Sequence, residues 1–303
     1  DDGYERTVGD WLYHDEKKFP SGMKLIADNI HKHDMLAGLW LAPFAATPKS
    51  YIYNKHKDWF VKNKNGKIPF ASHNWGGFYA LDIYNNEVRQ YLKEVFDTVL
   101  NVWGYDMVKL DFLYACCIIP FNGKSRGEIM CDAMDLIREL CGDKLILGCG
   151  VPLAPAFGKV DFCRIGADMA LSWGKKPFSR EDVSTKHALL NTIFRRELDG
   201  RAFLNDPDVF LLRDNNIKMT FEQRKLIAET ASLFGNLLFV SDDVSTYNSD
   251  QKDCFINVTT RNKADINYVN MDSDGDISIK YTLDGEKKGY CFNINSGDKK
   301  VLI

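Results

Sequence analysis

The sequence predicts an α/β protein, a (β/α)8 TIM barrel with a small C-terminal antiparallel β domain. Short β-rich runs alternate with amphipathic helices, which is the pattern of a parallel sheet. The alternation runs through the first ~245 residues, the usual size of an eight-unit barrel. After Tyr247 it gives way to short β-branched and aromatic runs broken by Asp-Gly, Asn and Ser-Gly turns. A doubly wound open sheet is the architectural alternative. It would carry a glycine-rich phosphate loop after its first strand, and the sequence has none.

The elements follow in order. Pro20-Ser21 opens a helix with Met23, Ile26, Ala27 and Ile30 on one face, and Leu36 to Leu41 is a strand ended by Pro43. Phe78 to Leu81 is the next strand. Asn85 caps a helix whose inner face carries Val88, Tyr91, Leu92, Val95 and Val99. Met107 to Leu110 is a strand, and a helix from Ser125 to Leu140 follows with Ile129, Ala133, Leu136 and Ile137 inward. Leu145 to Leu147, Phe162 to Ile165, Ala202 to Leu204 and Leu237 to Val240 complete the visible strands. Helices fall near Lys186–Arg196 and Thr220–Phe234. The barrel is expected over residues 1–246, with the body of its first strand upstream of Asp1. The β domain is expected over 247–303, with Phe255 to Val258, Ile277 to Ile279 and Tyr290 to Phe292 as strands.

Composition narrows the function classes. A chain of 303 residues buries about 75% of its unfolded surface, enough for one large domain and an appendage. The net charge of −3, from 39 basic and 42 acidic residues, gives no reason to expect a nucleic-acid or membrane partner. None of the eight cysteines forms a C-x-x-C or lies at ligand spacing from a histidine, so a zinc site is not expected. Several cysteines lie in apolar runs, which points to reduced thiols and a cytoplasmic setting. The chain begins Asp1-Asp2-Gly3 rather than Met, so any leader is expected upstream.

In such a barrel the functional groups lie at the carboxyl ends of strands. The polar residues expected there are Asp1, Asp2, Trp40, Asp82, Lys109, Asp111, Cys149, Arg164, Asp168, Asp206, Asp208, Asp242 and Asp243. Lys109-Leu110-Asp111 puts an ammonium and a carboxylate on one strand face, where the cation favours an ionised nucleophile. A buried ion pair holding the barrel mouth is the plainer reading. Arg164 and Asp168, with Gly166 between them leaving room for a ligand, repeat the idea on the sixth strand. A salt bridge from Arg164 to a neighbouring strand is the structural alternative. Asp82, Asp242 and Asp243 read as capping residues. Trp59, Trp75 and Trp103 suit either a subsite or the core, and the six histidines form no triad or metal cluster.

These motifs resemble, in order, those of the melibiase-type α-galactosidases, glycoside hydrolase family thirty-six and its clan relative family twenty-seven. Asp1-Asp2-Gly3 resembles the aspartate pair that binds galactose hydroxyls, and Gly38 to Pro43 resembles the second-strand motif. Lys55 to Trp59 and Tyr79 to Asp82 resemble the loop and unit that follow. Lys109-Leu110-Asp111 resembles the nucleophile motif, and Gly148-Cys149-Gly150 the segment near the sugar 2-substituent. Arg164 to Asp168 resembles the acid/base motif, and Asn205 to Asp208 and Ser241 to Asp243 the last two strand ends. The sequence departs from the pattern where Asp111 precedes Phe112-Leu113-Tyr114, and in the loop Gly150 to Pro155.

The resemblance implies a retaining, exo-acting glycoside hydrolase that releases terminal α-galactose by double displacement. Asp111 would be the nucleophile and Asp168, against a drier wall, the acid/base. Asp1, Asp2, Trp40, Lys109, Cys149, Arg164 and Asp208 would contact substrate, with no metal or organic cofactor. Its partner would be an α-galactoside oligosaccharide or glycoconjugate. A preceding β-sandwich and a homo-oligomer are also implied. The competing readings are an α-N-acetylgalactosaminidase, a galactosyl-transferring transglycosylase, and a non-catalytic carbohydrate-binding barrel.

Overall fold

Helix α1 (Gly22–His31) opens after Pro20 and Ser21 and buries Met23 and Ala27, the inner pair of the expected face. The computed structural model describes residues 3–174 and 183–302. The chain divides into two compact units, Asp1–Cys163 and Arg164–Ile303.

In the first unit, β1 (Gly38–Leu41) is followed by β2 (Ala45–Ala46), α2 (Tyr51–Lys55), β3 (Phe70–Ser72) and β4 (Phe78–Ala80). Helix α3 (Asn86–Asp97) starts where expected, with the Asn85 side chain accepting from the Glu87 and Val88 N–H groups. Its inner face is buried as the periodicity required. Then come β5 (Met107–Leu110), α4 (Arg126–Cys141), entered by a Ser125–Glu128 capping box, β6 (Leu145–Gly148) and β7 (Phe162–Arg164).

Strands β1, β5 and β6 are parallel neighbours, with Trp40 opposite Lys109 and Lys109 opposite Leu147. Phe162 and Cys163 extend this sheet beside Leu147 and Gly148. Val108, Leu110 and Ile146 are fully buried, and Lys109 is the polar exception within β5. The strand expected at Phe78 to Leu81 behaves differently. It pairs antiparallel with β2 and β3 in a separate three-stranded sheet. The cause is local: after Pro43 the Ala45 N–H donates back to the Ala42 carbonyl. That turn brings Ala45 and Ala46 alongside Ala80 and Tyr79.

In the second unit, α5 (Thr185–Phe194), β8 (Leu204–Asp206), β9 (Val209–Phe210), α6 (Phe221–Phe234) and β10 (Phe239–Val240) lead to α7 (Ser249–Thr259). Strand β8 lies later than expected, because Gly200 and Phe203 close a turn over the predicted start. The expected strand at Phe255 to Val258 lies inside α7. An Asn248–Gln251 capping box begins this helix, and Gln251, Cys254 and Val258 face inward at helical spacing. Four antiparallel strands follow, β11 (Asp265–Met271), β12 (Asp276–Leu283), β13 (Glu286–Asn293) and β14 (Lys299–Val301), in sequential order. Ile277, Ile279, Tyr290 and Phe292 from this sheet share one hydrophobic cluster with Leu226, Ile227 and Phe234 of α6 and Leu189 and Ile193 of α5. The sheet therefore has no core of its own and needs helices to cover its apolar face.

One polar knot ties the first unit's elements together. Asp132 on α4 accepts from the Tyr84 hydroxyl at 2.6 Å and pairs with the Lys124 ammonium. Lys124, then Tyr84, hold its carboxyl below the usual range. A depressed carboxyl contributes stability above its unfolded pKa and loses it as pH falls through the folded value. Asp132→Asn should therefore lower the unfolding midpoint at neutral pH. The deficit relative to the parent should vanish on acidification, and a deficit that stays constant with pH would contradict this account.

Candidate active site

The first unit builds its site at the carboxyl end of the parallel strands. Asp111 directly follows β5, and its N–H donates to the Leu41 carbonyl at 2.8 Å, which prolongs the ladder by one residue. Its carboxylate is held at both oxygens. The Trp40 indole N–H donates to Oδ2 at 3.2 Å, and the Phe112 backbone N–H donates to Oδ1 at 2.7 Å. Trp40 itself is buried at the end of β1. Lys109 is half-buried, two residues back on the same strand. Cys149 is buried, and its N–H donates to the Leu110 carbonyl at 2.8 Å. The structure thus brings Trp40, Lys109, Asp111 and Cys149 to neighbouring strand ends.

Around Asp111 the backbone is unusual. Phe112 has φ 52° and ψ 30°, the left-handed region. For a bulky residue this costs on the order of 1–3 kcal/mol and persists only where the surroundings enforce it. The Phe112 ring lies edge-on to Trp75 at 4.8 Å between centroids and to Phe78 at 5.5 Å. Trp75 also has positive φ, at 54°, and its ring meets Trp40 at 5.9 Å. Gly150, at φ +54°, closes the other side. A Cβ there would fall 2.8 Å from the Phe112 nitrogen and 3.0 Å from Asp111 Oδ1, so only glycine fits.

The second unit gathers charge around Arg164, whose side chain is only 5% exposed. Its Nε donates to Asp206 at 2.9 Å, Nη1 meets Asp168 at 2.8 Å and Nη2 meets Asp208 at 2.8 Å. All three guanidinium nitrogens are used, the multidentate geometry that arginine's planar fork allows. Asp206 is fully buried on β8, and its Oδ1 also accepts the Asp208 N–H at 2.8 Å. Asp208 has φ 79°, a conformation aspartate tolerates. Burial pushes its carboxyl above the usual range, against the pull of Arg164. Asp168 differs from expectation. Its side chain is 68% exposed rather than set against a dry wall, because the strand ends at Arg164 and residues 165–168 leave it. Gly166 does not open a space for ligand. A Cβ there would meet Asn191 at 3.0 Å, so the glycine admits helix α5.

Asp1 and Asp2 lie outside the described residues. Asp242 and Asp243 are structural, as expected. Asp242 accepts from the Leu212 and Arg213 N–H groups and the Tyr247 hydroxyl, and Asp243 caps a turn through the Ser245 N–H. Asp82 accepts the Tyr84 N–H at 2.9 Å. Trp59 donates to Glu87 and Trp103 packs on Tyr4, so both serve packing. Among the described residues no group of three or more His, Cys, Asp or Glu could hold a metal, and no helix is long and apolar enough to cross a membrane. Sequence reasoning gave Phe112 and Gly150 no role of their own and left Trp75 between a subsite and the core. The visible sign at Phe112 was that a bulky aromatic follows Asp111, and at Gly150 that it belongs to the Gly148-Cys149-Gly150 motif.

Arg164→Lys should be severely destabilising, by about 3–5 kcal/mol, because a single ammonium cannot satisfy three carboxylates in that geometry. Thermal unfolding checks this, and a midpoint within a degree or two of the parent would contradict it.

Comparison with known proteins agrees with the motif reading. The melibiase family model matches residues 1–124. The α-galactosidase TtGalA of Thermus thermophilus, solved with p-nitrophenyl α-D-galactopyranoside, superposes with a TM-score of 0.80 at 29% identity, over 94% of this chain and 58% of that one. Alpha-galactosidase Mel36A of Lactobacillus acidophilus is 31% identical over 105 residues, 35% of this chain and 14% of its own length. The A type blood alpha-D-galactosamine galactosaminidase of Flavonifractor plautii is 30% identical over 138 residues, 42% of this chain and 13% of its own. The chain thus spans little more than half of the solved Thermus protein and a small share of the curated relatives. Residues 1–124 thus match the melibiase family model, and the chain as a whole is similar in sequence and fold to α-galactosidases.

Proposed function

We propose that the protein carrying this chain is a retaining, exo-acting glycoside hydrolase that releases terminal α-galactose from oligosaccharides or glycoconjugates. The observation that carries this reading is Asp111, a carboxylate at a strand end with one N–H donor on each oxygen. Such a group is held in one orientation, as a nucleophile must be. In this reading residues 1–246 belong to a (β/α)8 barrel and 247–303 to its C-terminal β domain. The TM-score of 0.80 to TtGalA supports this.

Asp111 attacks the anomeric carbon while Asp168, protonated, gives its proton to the departing oxygen. A covalent β-glycosyl ester forms. Asp168 then removes a proton from water, which attacks the same carbon and frees Asp111, so the product keeps the α configuration. Arg164 orients Asp168 through the bond at 2.8 Å. Lys109, Cys149, Trp40, Asp1, Asp2 and Asp208 take the substrate-contact roles that their motifs carry in the family. The double displacement asks for no metal or organic cofactor, and the family's homo-oligomeric assembly is part of the proposal.

A second reading, an α-N-acetylgalactosaminidase, is favoured by the likeness to the Flavonifractor enzyme and by the loop after Cys149, which departs from the usual glycine-rich run. The test compares p-nitrophenyl α-galactoside with p-nitrophenyl α-N-acetylgalactosaminide and follows the first product anomer by NMR. Galactoside turnover with an α product is expected. Asp111→Ala should reduce kcat by orders of magnitude with the fold intact. A β product, or near-parental turnover by that variant, overturns the mechanism.

A further inference from the structure

We infer that Phe112 is a positioning residue for Asp111, acting through a left-handed backbone clamped between Trp75 and Gly150. This rests on the reading of Asp111 as the nucleophile and extends it to the residues that hold the carboxylate in place.

The chain is pinned on both sides of the peptide that joins Asp111 to Phe112. On one side the Asp111 N–H is bonded to Leu41 in the sheet. On the other the Tyr114 N–H donates to the Gly150 carbonyl at 2.8 Å, and the Ala115 N–H to the Phe112 carbonyl at 3.0 Å. Between these anchors the conformer at residue 112 decides how the connecting peptide is turned, and so whether its N–H faces the Asp111 carboxylate. The observed left-handed conformer turns the chain straight from the strand into the tight turn Leu113–Cys117 and leaves that N–H 2.7 Å from Oδ1. Phenylalanine is a poor choice for this region on its own account. The rings of Trp75, Phe78 and Tyr114 surround its side chain, and Gly150 lies against its nitrogen without a side chain to push it away. The site therefore holds its carboxylate with a backbone that the local sequence resists and the packing imposes. A misplacement of about 1 Å at a reacting group can cost about a hundredfold in rate, so the aim of this carboxylate sets the rate.

A purely space-filling role and a positioning role predict opposite orders for one set of variants. Phe112→Val, Phe112→Asn and Phe112→Gly all remove the ring. They differ in backbone tolerance, since asparagine and glycine accept the left-handed region and β-branched valine does not. The full-length protein and its variants are assayed on p-nitrophenyl α-galactoside for kcat and KM, with unfolding midpoints measured alongside. The expected result is a kcat for the Asn and Gly variants at least about tenfold above that of Phe112→Val, with KM changed only a few-fold, because the lost interaction acts in the transition state. Gly150→Ala, which crowds the Phe112 nitrogen and Oδ1, should lower kcat about a hundredfold. If Phe112→Val does not fold, Phe112→Ala takes its place in the same comparison.

An order that follows apolar volume, with Val above Asn and Gly, overturns the inference, and so does equal activity in all three. Asp111→Asn is measured in parallel. An active Asp111→Asn defeats the nucleophile assignment whatever the order of the Phe112 series. An inactive Asp111→Asn with a volume-ordered series defeats only the positioning role.

Discussion

The constraint on which the first unit's site depends is the fixing of one carboxylate by two N–H groups of different origin. One comes from the Trp40 indole on a neighbouring parallel strand, the other from the peptide immediately after Asp111. A charged acceptor held by directed donors loses rotational freedom and gains a defined orientation. Several otherwise unrelated features then have one cause. The burial of Trp40, the edge-on rings of Trp75 and Phe78, the positive φ of Phe112 and the bare Cα of Gly150 all surround those two bonds. Local strain is tolerated here because the packing over-determines it.

The second unit solves a different electrostatic problem. Three aspartates converge on one buried guanidinium, leaving the cluster with more negative than positive charge if all are ionised. Fully buried Asp206 and nearly buried Asp208 are stabilised by that arginine and by backbone N–H groups, including that of Met169 on Asp208. Asp168 is the exposed member. Arg164 makes the salt bridge to a neighbouring strand that the sequence offered as its structural reading, and the same guanidinium also holds the Asp168 carboxylate.

Much of the architecture was legible because it follows from periodicity and local chemistry. The inner faces of α1, α3 and α4 came from apolar spacing, and the start of α3 from the Asn85 side chain that caps free N–H groups. The parallel strands showed as apolar runs. The failures also have causes. Phe78 to Leu81 has strand character, but no local signal says which strands it will pair with, and the turn after Pro43 decided that. Phe255 to Val258 reads as β-rich in isolation, yet the Asn248–Gln251 box upstream starts a helix through it.

What the sequence determined by itself is which residues are the candidates for the chemistry. Lys109, Asp111 and Arg164 stand out because charged groups at the ends of apolar strands are costly to bury and are kept only where something meets them, and Asp168 because it shares a short motif with Arg164. What only the tertiary structure decided is how each one is held. Asp111 is gripped by an indole 71 residues away along the chain, Arg164 by carboxylates about 40 residues downstream, and Phe112 is forced into a conformation its own side chain disfavours. Hydrogen-bond direction and backbone strain arise from contacts between distant segments, and neither periodicity nor motif spacing records them.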